Sequence, residues 1–146
     1  MSQSYSRIWI HAVWTTKYRL PMIQIGIFEA TLHDYIRDQF KTQGCPVRII
    51  NGTDDHIHCL FLLNPKKSIS QIINQVKGST SFHINKAQLL KQRFEWQDGY
   101  GVFSVGDKDL DIVVNYIRNQ KKHHLSYTTE AKYEIFQQLN GEFPAP

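Results

Sequence analysis

The order in which hydrophobic periodicities follow one another constrains this chain more than any single motif, because two-residue and 3.6-residue patterns alternate along it. Ser6 to Thr16 (SRIWIHAVWTT) is rich in aromatic and β-branched residues, as a strand requires. From about Ile25 to Lys41, Ile27, Phe28, Leu32, Tyr35, Ile36 and Phe40 recur at helical spacing, and Gly44 with Pro46 closes the element. Val47 to Asn51 and Ile57 to Leu63 read as two short strands joined by the turn-prone Gly52-Thr53-Asp54-Asp55. Ser68 can cap a helix with Ile69, Ile72, Ile73 and Val76 on one face, continuing with a bend at Gly78 to about Leu90. Tyr100 to Val105 reads as a fourth strand, and Asp107 or Asp109 can cap a helix running to about Leu125.

The succession β-α-β-β-α-β-α predicts an α+β fold. Its first six elements match the ferredoxin-like arrangement, a four-stranded antiparallel sheet with two helices on one face, and the seventh is an additional C-terminal helix carrying Tyr116. A weaker helix from about Thr129 to Leu139 and a loose end from Gly141 to Pro146 are also expected.

With 146 residues, 41% of them hydrophobic, the chain has material for one core, so a single domain over 1–146 is expected, with roughly 127–146 as a C-terminal extension. No stretch approaches the roughly 18 apolar residues of a membrane span, and Ser2 to Ser6 is polar where a secretory signal needs an apolar run. These features predict a soluble cytoplasmic protein that does not enter a membrane. Cys45 and Cys59 are too few for a disulfide framework and lack the close pairing of a structural zinc site. The net charge of +4 is compatible with an anionic partner such as nucleic acid, although many proteins of that charge bind none.

Two constellations carry chemistry. In Asp54-Asp55-His56-Ile57-His58, strand alternation projects both imidazoles from one face and sends Ile57 to the other, which suits a divalent metal. An isolated His-x-His is more often a pair of histidines on a solvated face. In Asn115-Tyr116-Ile117-Arg118-Asn119-Gln120, Tyr116 and Gln120 are four apart and share one face of the last helix. The amide oxygen of Gln120 would complete a set of two imidazoles and one oxygen, leaving positions for water and phosphate oxygens. Such a site favours Mg²⁺ or Mn²⁺ in use, although imidazoles also accept other transition ions, so the ligands alone do not name the metal. Without the histidines, Tyr116 would read as a residue beside the core and Gln120 as a surface residue.

Together these motifs resemble the HUH single-tyrosine transposases of the insertion-sequence 200/605 type and their REP-associated relatives. The resemblance covers most of the chain. Its strongest parts are His56-Ile57-His58 after Asp54-Asp55 and Tyr116-Ile117-Arg118-Asn119-Gln120 one α-β unit later. Supporting stretches are His11 to Arg19 (HAVWTTKYR), Val76-Lys77-Gly78-Ser79 and Gly99 to Ser104 (GYGVFS). Trp96 to Ser104 and Gln120 to His124 look more like the REP-associated branch.

The resemblance implies a single-stranded DNA endonuclease and strand transferase acting near DNA hairpins through a 5′-phosphotyrosine. It makes Tyr116 the nucleophile and His56, His58 and Gln120 the metal ligands. It also implies a homodimer or a monomer, the dimer with sites that can be shared between chains. Lys77, Lys86, Lys91, Arg93, Lys121 and Lys122 could track a DNA backbone, with Arg118 as a further phosphate contact, while Trp14, Tyr18 and Trp96 could stack unpaired bases. Each taken alone is more often a solvated charge or a core aromatic.

Two other classes compete. One is a catalytically inactive nucleic-acid-binding domain derived from such a transposase, against which stands the presence of all four site residues. The other is a histidine-based phosphohydrolase, which would want a longer histidine triad or a second His-x-Thr/Ser motif, whereas Cys59 and Leu60 follow His58.

Overall fold

A computed structural model describes residues 4–122. Seven principal elements follow in the expected order: β1 (Trp9–Thr15), α1 (Ile27–Thr42), β2 (Val47–Gly52), β3 (His56–Leu62), α2 (Ile69–Lys86), β4 (Gly101–Val105) and α3 (Leu110–Arg118). The strands form one antiparallel sheet in the order β2-β3-β1-β4, which is the ferredoxin-like order.

Period-2 alternation divides the side chains between two cores. Ile10, Ala12 and Trp14 of β1 and Ile57, Cys59 and Phe61 of β3 enter the larger core with Leu32, Ile36 and Phe40 of α1 and Ile72, Ile73, Val76 and Ile84 of α2. On the opposite face, Leu60 of β3 and Phe103 and Val105 of β4 pack against Leu110, Val113, Val114, Tyr116 and Ile117 of α3. The tyrosine helix therefore covers the sheet face that α1 and α2 leave open. Its local sequence specifies an apolar stripe but not which face of the sheet receives it.

Ser68 caps α2 as its sequence predicts. Its Oγ accepts from the Gln71 backbone N–H at 3.1 Å, and Gln71 Oε1 accepts from the Ser68 N–H at 3.0 Å, the reciprocal pair of a capping box. Gly44 follows α1 at φ 77°, a conformation costly for a residue with a Cβ.

Three sequence expectations need correction. Gly78 does not bend α2, which runs as one helix from Ile69 to Lys86 and ends short of Leu90. Neither aspartate caps α3 through its side chain: Asp109 occupies the cap position without such a bond, and Asp107 instead accepts from Arg7 Nε at 3.0 Å. Nor does the tyrosine helix run unbroken towards Leu125, because it is interrupted at Asn119 (φ −98°, ψ 20°). There Asn51 Nδ2 donates to the carbonyls of Ile117 and Arg118, both at 3.0 Å, satisfying two of the last acceptors of α3. The expected 129–139 helix and the 127–146 extension lie outside the described residues. Among the described residues no helix is long and apolar enough to cross a membrane.

Candidate active site

A tight hairpin builds the first half of the site. The Thr53 N–H donates to the His56 carbonyl at 3.1 Å, so only Thr53, Asp54 and Asp55 connect β2 to β3. Gly52 is required there, since a Cβ on it would stand 2.0 Å from the His56 carbonyl oxygen. The backbone carbonyls of Asp54 and Asp55 accept from the N–H groups of Ile23 and Thr16, both at 2.9 Å, which ties the turn to the segment after β1.

His56 is oriented by this turn. Its Nδ1 lies 2.7 Å from Asp55 Oδ1 and 2.9 Å from Thr53 Oγ1, and Thr53 Oγ1 donates to the same carboxylate oxygen at 3.1 Å. Burial pushes the Asp55 carboxyl up, but the hydrogen bonds from His56 and Thr53 and the nearby charges outweigh it, and the net shift is downward. Two residues on, His58 projects from the same face and is 4% exposed.

α3 and the residues just past its break supply the second half. Gln120 Nε2 donates to the Tyr116 carbonyl at 3.3 Å, which leaves Oε1 facing His56 Nε2 at 3.2 Å. The Tyr116 ring meets the His58 ring edge-on, with centroids 5.6 Å apart, and His56 and His58 are 5.0 Å apart by the same measure. Burial pushes the Tyr116 phenol above its usual range, only partly opposed by its hydrogen bond with Gln120. His56, His58, Tyr116 and Gln120, 64 residues apart at the extremes, thus come together within one chain.

The residues expected along a DNA path divide. Trp14 is 2% exposed and packs edge-on against Trp96, itself buried, so both tryptophans belong to the core and offer no face to a base. Lys77 is also buried, its Nζ donating to the carbonyls of Gln97 and Gly99 at 2.8 and 2.7 Å, which makes it a pin for the loop before β4 and not a phosphate contact. Tyr18, Lys86, Lys91, Arg93, Arg118 and Lys122 are exposed. Lys121 reaches inward to Asn51 Oδ1 at 2.7 Å and Glu29 Oε2 at 2.9 Å. An open cleft between α2 and residues 93–99 is lined by Lys17, Lys86, Arg93 and Phe82.

Sequence reasoning named no role for Asn51, Thr53, Asp55 or His11 individually. Asp55 was legible in principle as the acidic neighbour of a candidate ligand. His11 was legible through the two-residue period of β1, which sets Trp9, His11 and Val13 on the α3 side of the sheet.

An antiparallel sheet bearing a His-x-His pair, faced by a tyrosine on α3 and a glutamine just past its break, is the arrangement expected of a tyrosine transposase of the HUH type. Residues 4–120 match the family model described as transposase IS200 like, and the chain belongs to that family. It is 25% identical to the ISDra2 transposase TnpA of Deinococcus radiodurans over 115 residues, 75% of this chain and 81% of that protein. Its fold is similar to the crystal structure of a protein assigned as a transposase from Deinococcus radiodurans R1 (TM-score 0.64, 24% identity, 82% of this chain and 96% of that one). It is also similar to a REP-associated tyrosine transposase bound to a REP hairpin (TM-score 0.60, 18% identity, 85% of this chain and 74% of that one).

Proposed function

We propose that this transposase cuts and rejoins single-stranded DNA next to hairpins, with Tyr116 as the nucleophile and His56, His58 and Gln120 holding a divalent cation, Mg²⁺ or Mn²⁺. The observation that carries this reading is the convergence of the four side chains within one chain.

The donor set fits a cation. Asp55, held ionised, can only accept, so the Nδ1 proton of a neutral His56 is directed at it and the lone pair of His56 sits on Nε2. Gln120 is oriented by its bond to the Tyr116 carbonyl, so its Oε1 lone pairs face that nitrogen across 3.2 Å. Two lone pairs so opposed are satisfied by a shared proton or by a cation. Adjacent ligand atoms on a small octahedral cation are separated by about 3 Å. When bound, the cation would supply charge to polarise a scissile phosphate.

The chain's own residues then do the following. At neutral pH the Tyr116 phenol is protonated, and its ring is buried edge-on against His58. Attack of the phenol oxygen on phosphorus forms the tyrosyl ester and breaks the bond to the 3′ oxygen, leaving a 5′-phosphotyrosine, while the proton the phenol gives up to solvent is matched by one the departing 3′ oxygen takes from it to become a free hydroxyl. A second 3′-hydroxyl reverses the step and joins the strands without ATP. The exposed Lys86 and Arg93 beside Phe82 in the α2 cleft suit a single strand, and the REP hairpin of the structural relative supports a hairpin-bearing strand as the substrate. The expected assembly is a homodimer, each site drawn from one chain or shared between two.

The test is a denaturing gel with Mg²⁺ and a labelled hairpin oligonucleotide from the DNA flanking the gene. Wild type should give a covalent adduct, and Tyr116→Phe should give neither adduct nor cleavage while still binding the hairpin. An adduct with Tyr116→Phe would refute the assignment of the nucleophile. Binding without an adduct by wild type would favour the inactive DNA-binding domain.

A further inference from the structure

His11 sits on β1 with no exposed surface, one strand from the candidate ligands. The register pairs His11 with Leu60 and Val13 with His58, so His11 and His58 are diagonal neighbours on the face that α3 covers. His11 Nε2 lies 2.9 Å from His58 Nδ1. Two imidazole nitrogens at that distance share one hydrogen, and the direction of the bond has chemical consequences. A neutral imidazole carries one N–H, so a histidine that ligates through Nε2 must carry its proton on Nδ1.

We infer that His11 is a positioning residue that accepts the Nδ1–H of His58 at its own Nε2, holding His58 in the tautomer whose Nε2 lone pair serves the metal site. This role rests on the metal reading proposed above. It gives the two ligands unlike supports: ionised Asp55 for His56, and a neutral imidazole for His58. A carboxylate can only accept, whereas an imidazole can do either, so His11 must itself be the tautomer protonated on Nδ1. Its surroundings hold that ring in place: Phe103 of β4 and Tyr116 of α3 each stand 6.3 Å from it by centroids, the tyrosine edge-on. His11 therefore borders both the ligand it orients and the ring of the nucleophile.

The test uses the full chain with His11→Gln, which keeps an acceptor, and His11→Leu, which removes it at similar bulk. Long-range proton–nitrogen correlation spectra of the metal-free protein report the tautomer of His58 directly. Mn²⁺ titration followed by electron paramagnetic resonance reports affinity without turnover. Wild type should show His58 protonated on Nδ1. His11→Leu should weaken Mn²⁺ binding about 10–100-fold, the usual effect of losing a ligand's outer partner. His11→Gln should remain near wild type.

Protonation of His58 on Nε2 in wild type would overturn the inference. So would wild-type Mn²⁺ affinity in His11→Leu alongside its loss in His58→Ala, which leaves the metal site intact. Failure of wild type itself to hold Mn²⁺ would instead overturn the metal site and this role with it.

Discussion

Asn51 joins the tyrosine helix to the sheet, and replacing it tests how the site is held together. Its Nδ2 donates one hydrogen to each of the Ile117 and Arg118 carbonyls, and its Oδ1 accepts from Lys121 Nζ. Asn51→Ala removes all three bonds. The two neutral ones contribute about 1 kcal/mol each, while the exposed part of Lys121 makes its bond worth little, so the expected loss is about 2 kcal/mol. For a chain of this size that is a fall in Tm of about 6 °C. The local effect should exceed the global one. Asn119 is where α3 breaks, and Gln120, one residue beyond, presents the oxygen that faces His56. Freed from Asn51, the last turn can rewind, which carries Gln120 away from the histidines. The assay is thermal melting by circular dichroism together with Mn²⁺ titration, and Mn²⁺ affinity should fall while the protein remains folded. Asn51→Asp keeps the acceptor for Lys121 but sets an anion against the helix carbonyls, so it should melt no higher than the alanine variant. A melting curve and Mn²⁺ affinity both matching wild type in Asn51→Ala would refute this account of the helix end.

Gly52→Ala should destabilise the protein by several kcal/mol or shift the hairpin, because the new methyl meets the His56 carbonyl oxygen; wild-type melting and Mn²⁺ affinity together would contradict this. Acid should destabilise the fold through His33, whose pKa burial pushes down to about 4, with Glu29 opposing and Lys121 and Arg37 reinforcing. A depressed folded pKa means the contribution is fully present above about 6.5 and lost as pH falls towards 4, so wild type should lose about 2 kcal/mol between pH 7 and 5 that His33→Gln does not. Urea unfolding at both pH values measures it, and equal losses in the two proteins would count against it. A single nucleophile should cut a hairpin-bearing single strand and leave blunt duplex intact, with log affinity falling as log salt rises by about 0.7 per phosphate contact. Cleavage assays across a salt series decide this, equal cutting of both DNAs being the adverse result.

The sequence by itself determined the elements, their order and the chemical groups. Alternation in β3 put His56 and His58 on one side and Ile57 on the other, because that relation is set by backbone geometry within a few residues, whereas the four-residue spacing brings Gln120 only near Tyr116 and the break at Asn119 decides where it faces. Only the tertiary structure decided which aromatic and basic side chains are available. Trp14, Trp96 and Lys77 share the composition of a nucleic-acid surface, yet the packing of α2 and the 93–99 loop on the sheet makes the tryptophans core and the lysine a backbone pin. The break at Asn119 was likewise out of reach, since its cause is Asn51, 66 and 67 residues before the carbonyls it binds. The pairing of His11 with His58 depends on strand register and on the order β2-β3-β1-β4. Such contacts are set by which surfaces bury together, and no local pattern specifies that.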